Sequence, residues 1–182
     1  MKTYIAFLRG INISGKNKIT MSDLKAEFEH LGYVDVITYL NSGNVLFATN
    51  SDNVSKLRYD IETMIHDKMG LEIHVYIIAK DDLDEILRNA PEWWGTGDKE
   101  KYDNLIFILT DDAPEKISTI IGPISEGMEL VQVYKNVIFW TFDRKSYQKC
   151  NWWKKTASSG IAGKLTIRTA NTIKKMCTIQ LN

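Results

Sequence analysis

The feature that most constrains this chain is a tight hairpin set between two helical patterns. Residues Val34 to Leu40 are β-branched and aromatic, Asn41-Ser42-Gly43-Asn44 turns the chain, and Val45 to Ala48 returns as the partner strand. Upstream, Tyr4 to Leu8 is a nearly continuous apolar run, the pattern of a strand buried on both faces. Thr20 and Asp23 then stand at capping-box spacing ahead of Leu24, Phe28 and Leu31, and Gly32 supplies a stop. Downstream, Ser51-Asp52-Asn53 caps a second helix with an apolar stripe of Val54, Leu57, Ile61, Met64 and Ile65. Gly70 closes it, and residues 72 to 78 form a fourth strand. Strand, helix, strand, strand, helix, strand is the split βαβ order of a ferredoxin-like unit.

The order returns in the second half. Asp81-Asp82 caps a linking helix that Pro91 ends, and a loop follows in which Trp93 and Trp94 are expected to anchor against the body. Residues 105 to 109 form a strand and Pro114 to Ile121 a helix. Strands 129 to 134 and 137 to 142 are joined by Lys135-Asn136. Residues 146 to 158 are expected to form one helix, with Tyr147, Cys150, Trp153 and Ala157 on one side. A short strand at 165 to 168 and a helix at 170 to 179 complete the pattern. The predicted fold class is therefore α+β: two packed ferredoxin-like (split βαβ) subdomains with antiparallel sheets, at residues 1–79 and 80–182. At 182 residues, both halves have enough chain for a core.

Composition narrows the function classes. No apolar run approaches the length of a membrane span, no signal-peptide core is apparent, and two cysteines are too few for a disulfide framework, so a cytoplasmic location is expected. The net charge is zero, but residues 144 to 182 carry nine Lys or Arg and no acid, which points toward an anionic partner. His30, His66 and His74 are scattered, so no metal site is expected, and no motif specifies a cofactor or an oligomeric state.

The stretch with the most chemical character is Arg9-Gly-Ile-Asn12-Ile-Ser-Gly15-Lys16-Asn17-Lys18. Gly10 to Lys16 has the spacing of a phosphate-binding P-loop, but Asn17 stands where Ser or Thr would hold magnesium. The hairpins also argue against a parallel sheet. A glycine-rich anion nest with added cations is the reading that remains, set against a plain turn with solvated lysines. In the ferredoxin-like order the first and third strands are central neighbours, so this loop and residues 41 to 44 are expected to meet. The expected ligand-binding set is Arg9, Asn12, Gly15, Lys16, Asn17, Lys18, Asn41, Ser42 and Asn44, closed by Lys164, Arg168, Asn171 and Thr172 from the second half. The expected partner is nucleic acid or a phosphate-bearing small molecule, with no membrane. The alternatives are an enzyme acting on a small anionic metabolite, or a protein-interaction module. Asn151-Trp152-Trp153-Lys154-Lys155, which interleaves aromatics with cations, adds to the nucleic-acid reading.

Four segments carry a family resemblance, two near the start of the chain and two near its end. Residues 7 to 18 with Met21, and Thr38-Tyr-Leu-Asn41-Ser42-Gly43-Asn44-Val45, resemble the bacterial family catalogued as domain of unknown function 1697, whose pattern is close to LLRGINVGGKNK followed by TYLNSGNV. Lys164-Leu165 and Arg168-Thr169-Ala170-Asn171-Thr172 resemble the family's SKL and ARNWNT segments, with Gly163 before Lys164 and Thr169-Ala170 between Arg168 and Asn171 as departures. The resemblance implies a pair of ferredoxin-like subdomains and no activity.

Overall fold

A computed structural model describes residues 1–158 and 160–181. The chain divides into two compact units, Met1–Glu85 with Met176–Asn182, and Ile86–Lys175. In chain order the first holds β1 (Lys2–Leu8), α1 (Met21–His30), β2 (Val34–Tyr39), β3 (Asn44–Thr49), α2 (Val54–Met69) and β4 (Val75–Ala79). Its sheet order is β2-β3-β1-β4, with every pair antiparallel. This is the split βαβ arrangement: the hairpin β2–β3 places β3 beside β1, and α2 carries the chain across to β4 on the far side of β1.

Local chemistry accounts for the boundaries. Thr20 accepts the Asp23 backbone N–H at 3.1 Å and starts α1, while Asn53 accepts from the Lys56 N–H at 2.9 Å and starts α2. Each such cap is worth about 1 kcal/mol. Leu24 and Phe28 of α1 and Leu57, Ile61 and Ile65 of α2 are buried, as the helical spacing requires. They share a core with Tyr4, Ala6, Leu8 and Phe47 from the central strands. Phe47 meets Tyr4, Phe28 and Tyr33 with ring centroids 5.9, 5.5 and 4.7 Å away. Burial pushes the Tyr33 phenol up to about 12. Residues Tyr4 to Leu8 are all fully buried, as a strand packed on both faces should be.

Several expected boundaries shift. Val54 is 40% exposed, so the α2 stripe begins at Leu57. The fourth strand starts at Val75 instead of residue 72, where the Val75 N–H donates to the Glu62 carboxylate at 2.8 Å. β2 carries a bulge between Val34 and Ile37 with Asp35 at φ 53°, which no turn residue in the sequence announces.

The second unit holds β5 (Lys101–Ile108), α4 (Pro114–Ile121), β6 (Glu129–Tyr134), β7 (Val137–Asp143), α5 (Asn151–Thr156) and β8 (Leu165–Thr169). α3 (Lys80–Arg88) leads into it, and α6 (Ala170–Thr178) begins within it and ends in residues of the first unit. Its sheet order, β6-β7-β5-β8, repeats the first topology. Asp81 and Asp82 lie inside the first turn of α3 rather than ahead of it, where they complement the helix dipole. Trp94 is the anchor expected of the tryptophan pair. It is buried, its indole N–H donates to the Asn104 carbonyl at 2.7 Å, and its ring meets Phe139 edge-on at 5.1 Å.

The single helix expected over residues 146 to 158 is instead a short 3₁₀ turn, Tyr147–Lys149, and the six-residue α5, broken at Cys150 by an extended ψ of 128°. The cause is tertiary. Glu129 is 1% exposed, and its carboxylate accepts the Trp152 N–H at 3.0 Å and the Ser125 N–H at 3.2 Å. The Asn151 carboxamide donates to the carbonyls of Ile121 and Pro123 at 3.2 and 2.7 Å. These bonds fix where α5 begins, and they place Trp152 inside while Trp153 stays 42% exposed. Burial raises the Cys150 thiol to about 11, so it packs as a small apolar group.

Among the described residues no helix is long and apolar enough to cross a membrane.

Candidate functional site

The β1–α1 loop and the β2–β3 turn meet, as the topology requires. The Leu8 N–H donates to the Gly43 carbonyl at 2.8 Å, extending the β1–β3 ladder into the turn. Asn12 then ties three strands of chain together. Its carboxamide donates to the carbonyls of Ile19 and Asn41, both at 2.8 Å, and its Oδ1 accepts the Ile19 N–H at 2.9 Å. Asn17 donates from its side chain to the Gly10 carbonyl at 3.0 Å, while its own carbonyl accepts the Asn12 N–H at 3.0 Å. Asn44, fully buried, donates to the Tyr39 carbonyl at 2.8 Å and the Ser42 hydroxyl at 3.1 Å. Three of the expected ligand-binding asparagines therefore hold the two loops in shape with their carboxamides.

Between these clamps the chain makes a small projecting tip. Ile13 and Lys16 form an isolated bridge, closed by the Lys16 N–H on the Ile13 carbonyl at 2.9 Å. Ser14 and Gly15 have φ of 50° and 77°, the two positive values that a type I′ turn demands. Ile11 and Ile19 are buried at 1% and 7% exposure and root the tip at its base, while Ile13 is 59% exposed. Lys16 and Lys18 are exposed, with no ion pair among the described residues. The Arg9 backbone N–H donates to the His74 carbonyl at 2.9 Å. Ile13 is the residue that sequence reasoning missed. The alternation of Ile11 with Ile13 was visible, but the turn that sends one inward and the other outward was not.

The expected C-terminal members lie in the second unit. The Lys164 ammonium pairs with Asp112 at 2.7 Å. Asp112 is 12% exposed at its side chain and also takes Lys116 at 2.6 Å and the Thr110 hydroxyl at 2.9 Å. Arg168 is 8% exposed and donates to the Thr166 hydroxyl and the Ile167 carbonyl at 2.9 and 3.0 Å; burial lowers its pKa to about 10. Thr172 is buried with its hydroxyl 3.1 Å from that of Thr169, and Asn171 is exposed on the first turn of α6.

Hydrogen bonds from Lys116, Lys164 and Thr110 hold the Asp112 carboxyl well below the usual carboxylate range. A depressed folded pKa adds stability that is present above the ordinary value near 4 and is lost as pH falls through the folded value. Asp112→Asn is therefore expected to lower the midpoint of thermal unfolding at neutral pH, with the difference from wild type shrinking as the pH drops below about 4. A difference independent of pH would exclude the ionised cluster as its source.

Two split βαβ units, each with a four-stranded antiparallel sheet, define an α+β protein of paired ferredoxin-like subdomains. The chain belongs to the family described as "Protein of unknown function (DUF1697)", whose model matches residues 1–139. It is similar in structure to the conserved bacterial protein SP0830 from Streptococcus pneumoniae, with a TM-score of 0.84 and 27% identity over 97% of each chain. No curated protein matches the chain.

Proposed function

We propose that the protein binds a phosphate-bearing polymer, a nucleic acid, through the Ile13–Lys18 tip. The observation that supports this reading is the cost of building the tip. Five of the eight residues from Gly10 to Asn17 have positive φ, three of them not glycine. Left-handed backbone at non-glycine residues is unfavourable and marks segments whose shape is over-determined by their surroundings. Here the surroundings are the Asn12 and Asn17 clamps, and the result is a braced projection carrying two lysines with no ion pair among the described residues. Such a projection suits the outside of a charged polymer, whereas a small metabolite is ordinarily enclosed in a concavity. Holding the cations in place beforehand reduces the ordering cost of binding.

Lys16→Ala is expected to weaken binding of a short RNA or DNA duplex by about 1–3 kcal/mol, and adding Lys18→Ala should weaken it further. The slope of log affinity against log salt should become shallower by about one for each lysine removed. Folding should be unaffected within about 0.5 kcal/mol, since both side chains are exposed. Fluorescence anisotropy at several salt concentrations reads the effect. An unchanged affinity and salt slope in the double variant would rule out the tip as the contact.

A further inference from the structure

At one end of the second sheet, β5, β7 and β8 line a pocket of about 600 Å³ together with Tyr147 of the 3₁₀ turn and Trp153 and Thr156 of α5. Its walls include five aromatic side chains, Tyr102, Trp140, Phe142, Tyr147 and Trp153, together with Asn104. The rings form a connected set. Phe142 lies 5.2 Å from Tyr102, 4.7 Å from Trp140 and 5.6 Å from Trp153, and Trp153 meets Tyr147 edge-on at 5.0 Å. The volume is in the range of small-molecule sites.

The polar groups of the pocket are few, and the hydroxyls of Thr156 and Thr169 are taken up by the Trp152 carbonyl at 2.7 Å and the Thr172 hydroxyl at 3.1 Å. Asn104 is 8% exposed; its carboxamide donates only a long 3.3 Å bond to the Tyr102 carbonyl, and its Oδ1 accepts no hydrogen bond among the described residues. Trp140 is 2% exposed and its indole N–H has no acceptor there. The Asn104 carboxamide, with a donor and an acceptor to spare, is the lining group that a ligand's polar edge can pair with.

Tyr102 and Thr169 are also walls of a second, polar cavity of about 290 Å³, so the two adjoin. The polar cavity is lined by Lys99, Lys101 and Arg144, against the carboxylates of Asp98 and Asp103. Arg144 is fixed in place, its guanidinium 4.0 Å from the centre of the Tyr102 ring and its Nε donating to the Lys101 carbonyl at 3.2 Å. It has no ion pair among the described residues. The first residues of α6, Ala170 and Asn171, face the same cavity, and the first turn of that helix contains no acid.

An aromatic pocket with one carboxamide, joined to a cavity with a surplus of cations, matches a planar base joined to phosphate. We infer that the second unit binds an adenine nucleotide, with the base among Trp153, Phe142 and Tyr102, and the phosphate beside Arg144, Lys99 and Lys101. Adenine is favoured over other bases because a carboxamide can pair with its N6 and N7 together. Stacking on aromatic rings holds the base, and the guanidinium takes phosphate through parallel N–H bonds. All of these residues belong to the second unit, and none is part of the tip of the first.

The test uses the full chain with AMP, adenosine and a hexa-adenylate strand, followed by tryptophan fluorescence and calorimetry. Wild type should bind AMP saturably, and Trp153→Ala should weaken it by about tenfold or more, in line with the measured cost of removing a stacking ring. Arg144→Ala should weaken AMP by a similar factor while leaving adenosine unchanged. AMP binding at least as tightly as the strand identifies a free nucleotide as the ligand. A strand that binds about tenfold more tightly identifies a nucleotide unit within a single strand; both results keep the site. The inference is overturned if neither probe binds, or if Arg144→Ala binds AMP as wild type does. Because Arg144 is exposed, that variant decides the matter even if Trp153→Ala fails to fold.

Discussion

Gly43→Ala is expected to destabilise the first unit by about 2–5 kcal/mol, the largest effect of any single methyl addition in that unit's loops. Two causes act together. Gly43 has φ 77°, where an L side chain costs about 1–2 kcal/mol. A Cβ there would also lie 2.7 Å from Leu8 Cβ and 2.8 Å from Ile11 Cδ1. The Leu8 atom is bonded to the main chain in the buried stretch of central strand β1, so it cannot swing aside. Relieving the overlap means separating the turn from β1, which also strains the Leu8 to Gly43 hydrogen bond. Gly15→Ala is the control: its φ is the same 77°, yet a Cβ there meets nothing within 4 Å, so only the conformational part remains. Urea unfolding midpoints of the two variants should differ clearly. Equal midpoints would mean that the close approach at Gly43 carries no cost.

Asn12→Ala is expected to cost about 2–4 kcal/mol, because it removes three hydrogen bonds and leaves alanine at a φ of 55°. Both backbone groups of Ile19 that it serves would lose their partner in a region already half-buried. Asn12→Gly should be milder than alanine, since it keeps the backbone geometry without strain. Asn12→Asp should keep the bond from the Ile19 N–H but set a carboxylate against two carbonyl oxygens. The order expected from chemical unfolding is therefore wild type, then Gly, then Ala. If alanine and glycine were equal, the left-handed backbone would contribute nothing. The nucleic-acid reading also makes Asn12→Ala weaken binding without touching either lysine, because a loosened tip must be ordered at each encounter.

Much of the architecture was legible because its determinants are local. Thr20, Asn53, Gly70 and Pro114 mark helix ends through bonds or dihedral limits set within a few residues. The hairpin order then leaves few topologies, and β1 beside β3 brings the two N-terminal loops together. What stayed hidden is set by partners distant in sequence. Nothing near Cys150 announces that Glu129 will take the Trp152 N–H and stop a helix from running through, so the single helix expected over residues 146 to 158, with Trp153 on the side of Tyr147 and Cys150, gives way to a break that buries Trp152. The bulge at Asp35 and the late start of β4 have the same character, the latter tied to Glu62. The candidate site divides likewise. Composition marked the asparagines and lysines as polar and cationic, but only their geometry separates the clamps, Asn12, Asn17 and Asn44, from the exposed Lys16 and Lys18.

The left-handed backbone of the β1–α1 loop also reverses the usual link between accessibility and freedom to mutate. Surface positions ordinarily accept most side chains, because nothing has to move to admit them. At Asn12, Ser14 and Asn17 the main chain itself sets the limit, with φ of 55°, 50° and 48°, and β-branched residues are barred from that region whatever the space around them. A library selected for folding alone would thus keep small polar residues or glycine at these three positions, while Lys16 and Lys18 drifted. On the nucleic-acid reading, selection for binding would hold the two lysines as well. The pattern of what such a library retains would separate the residues that shape the projection from those that use it.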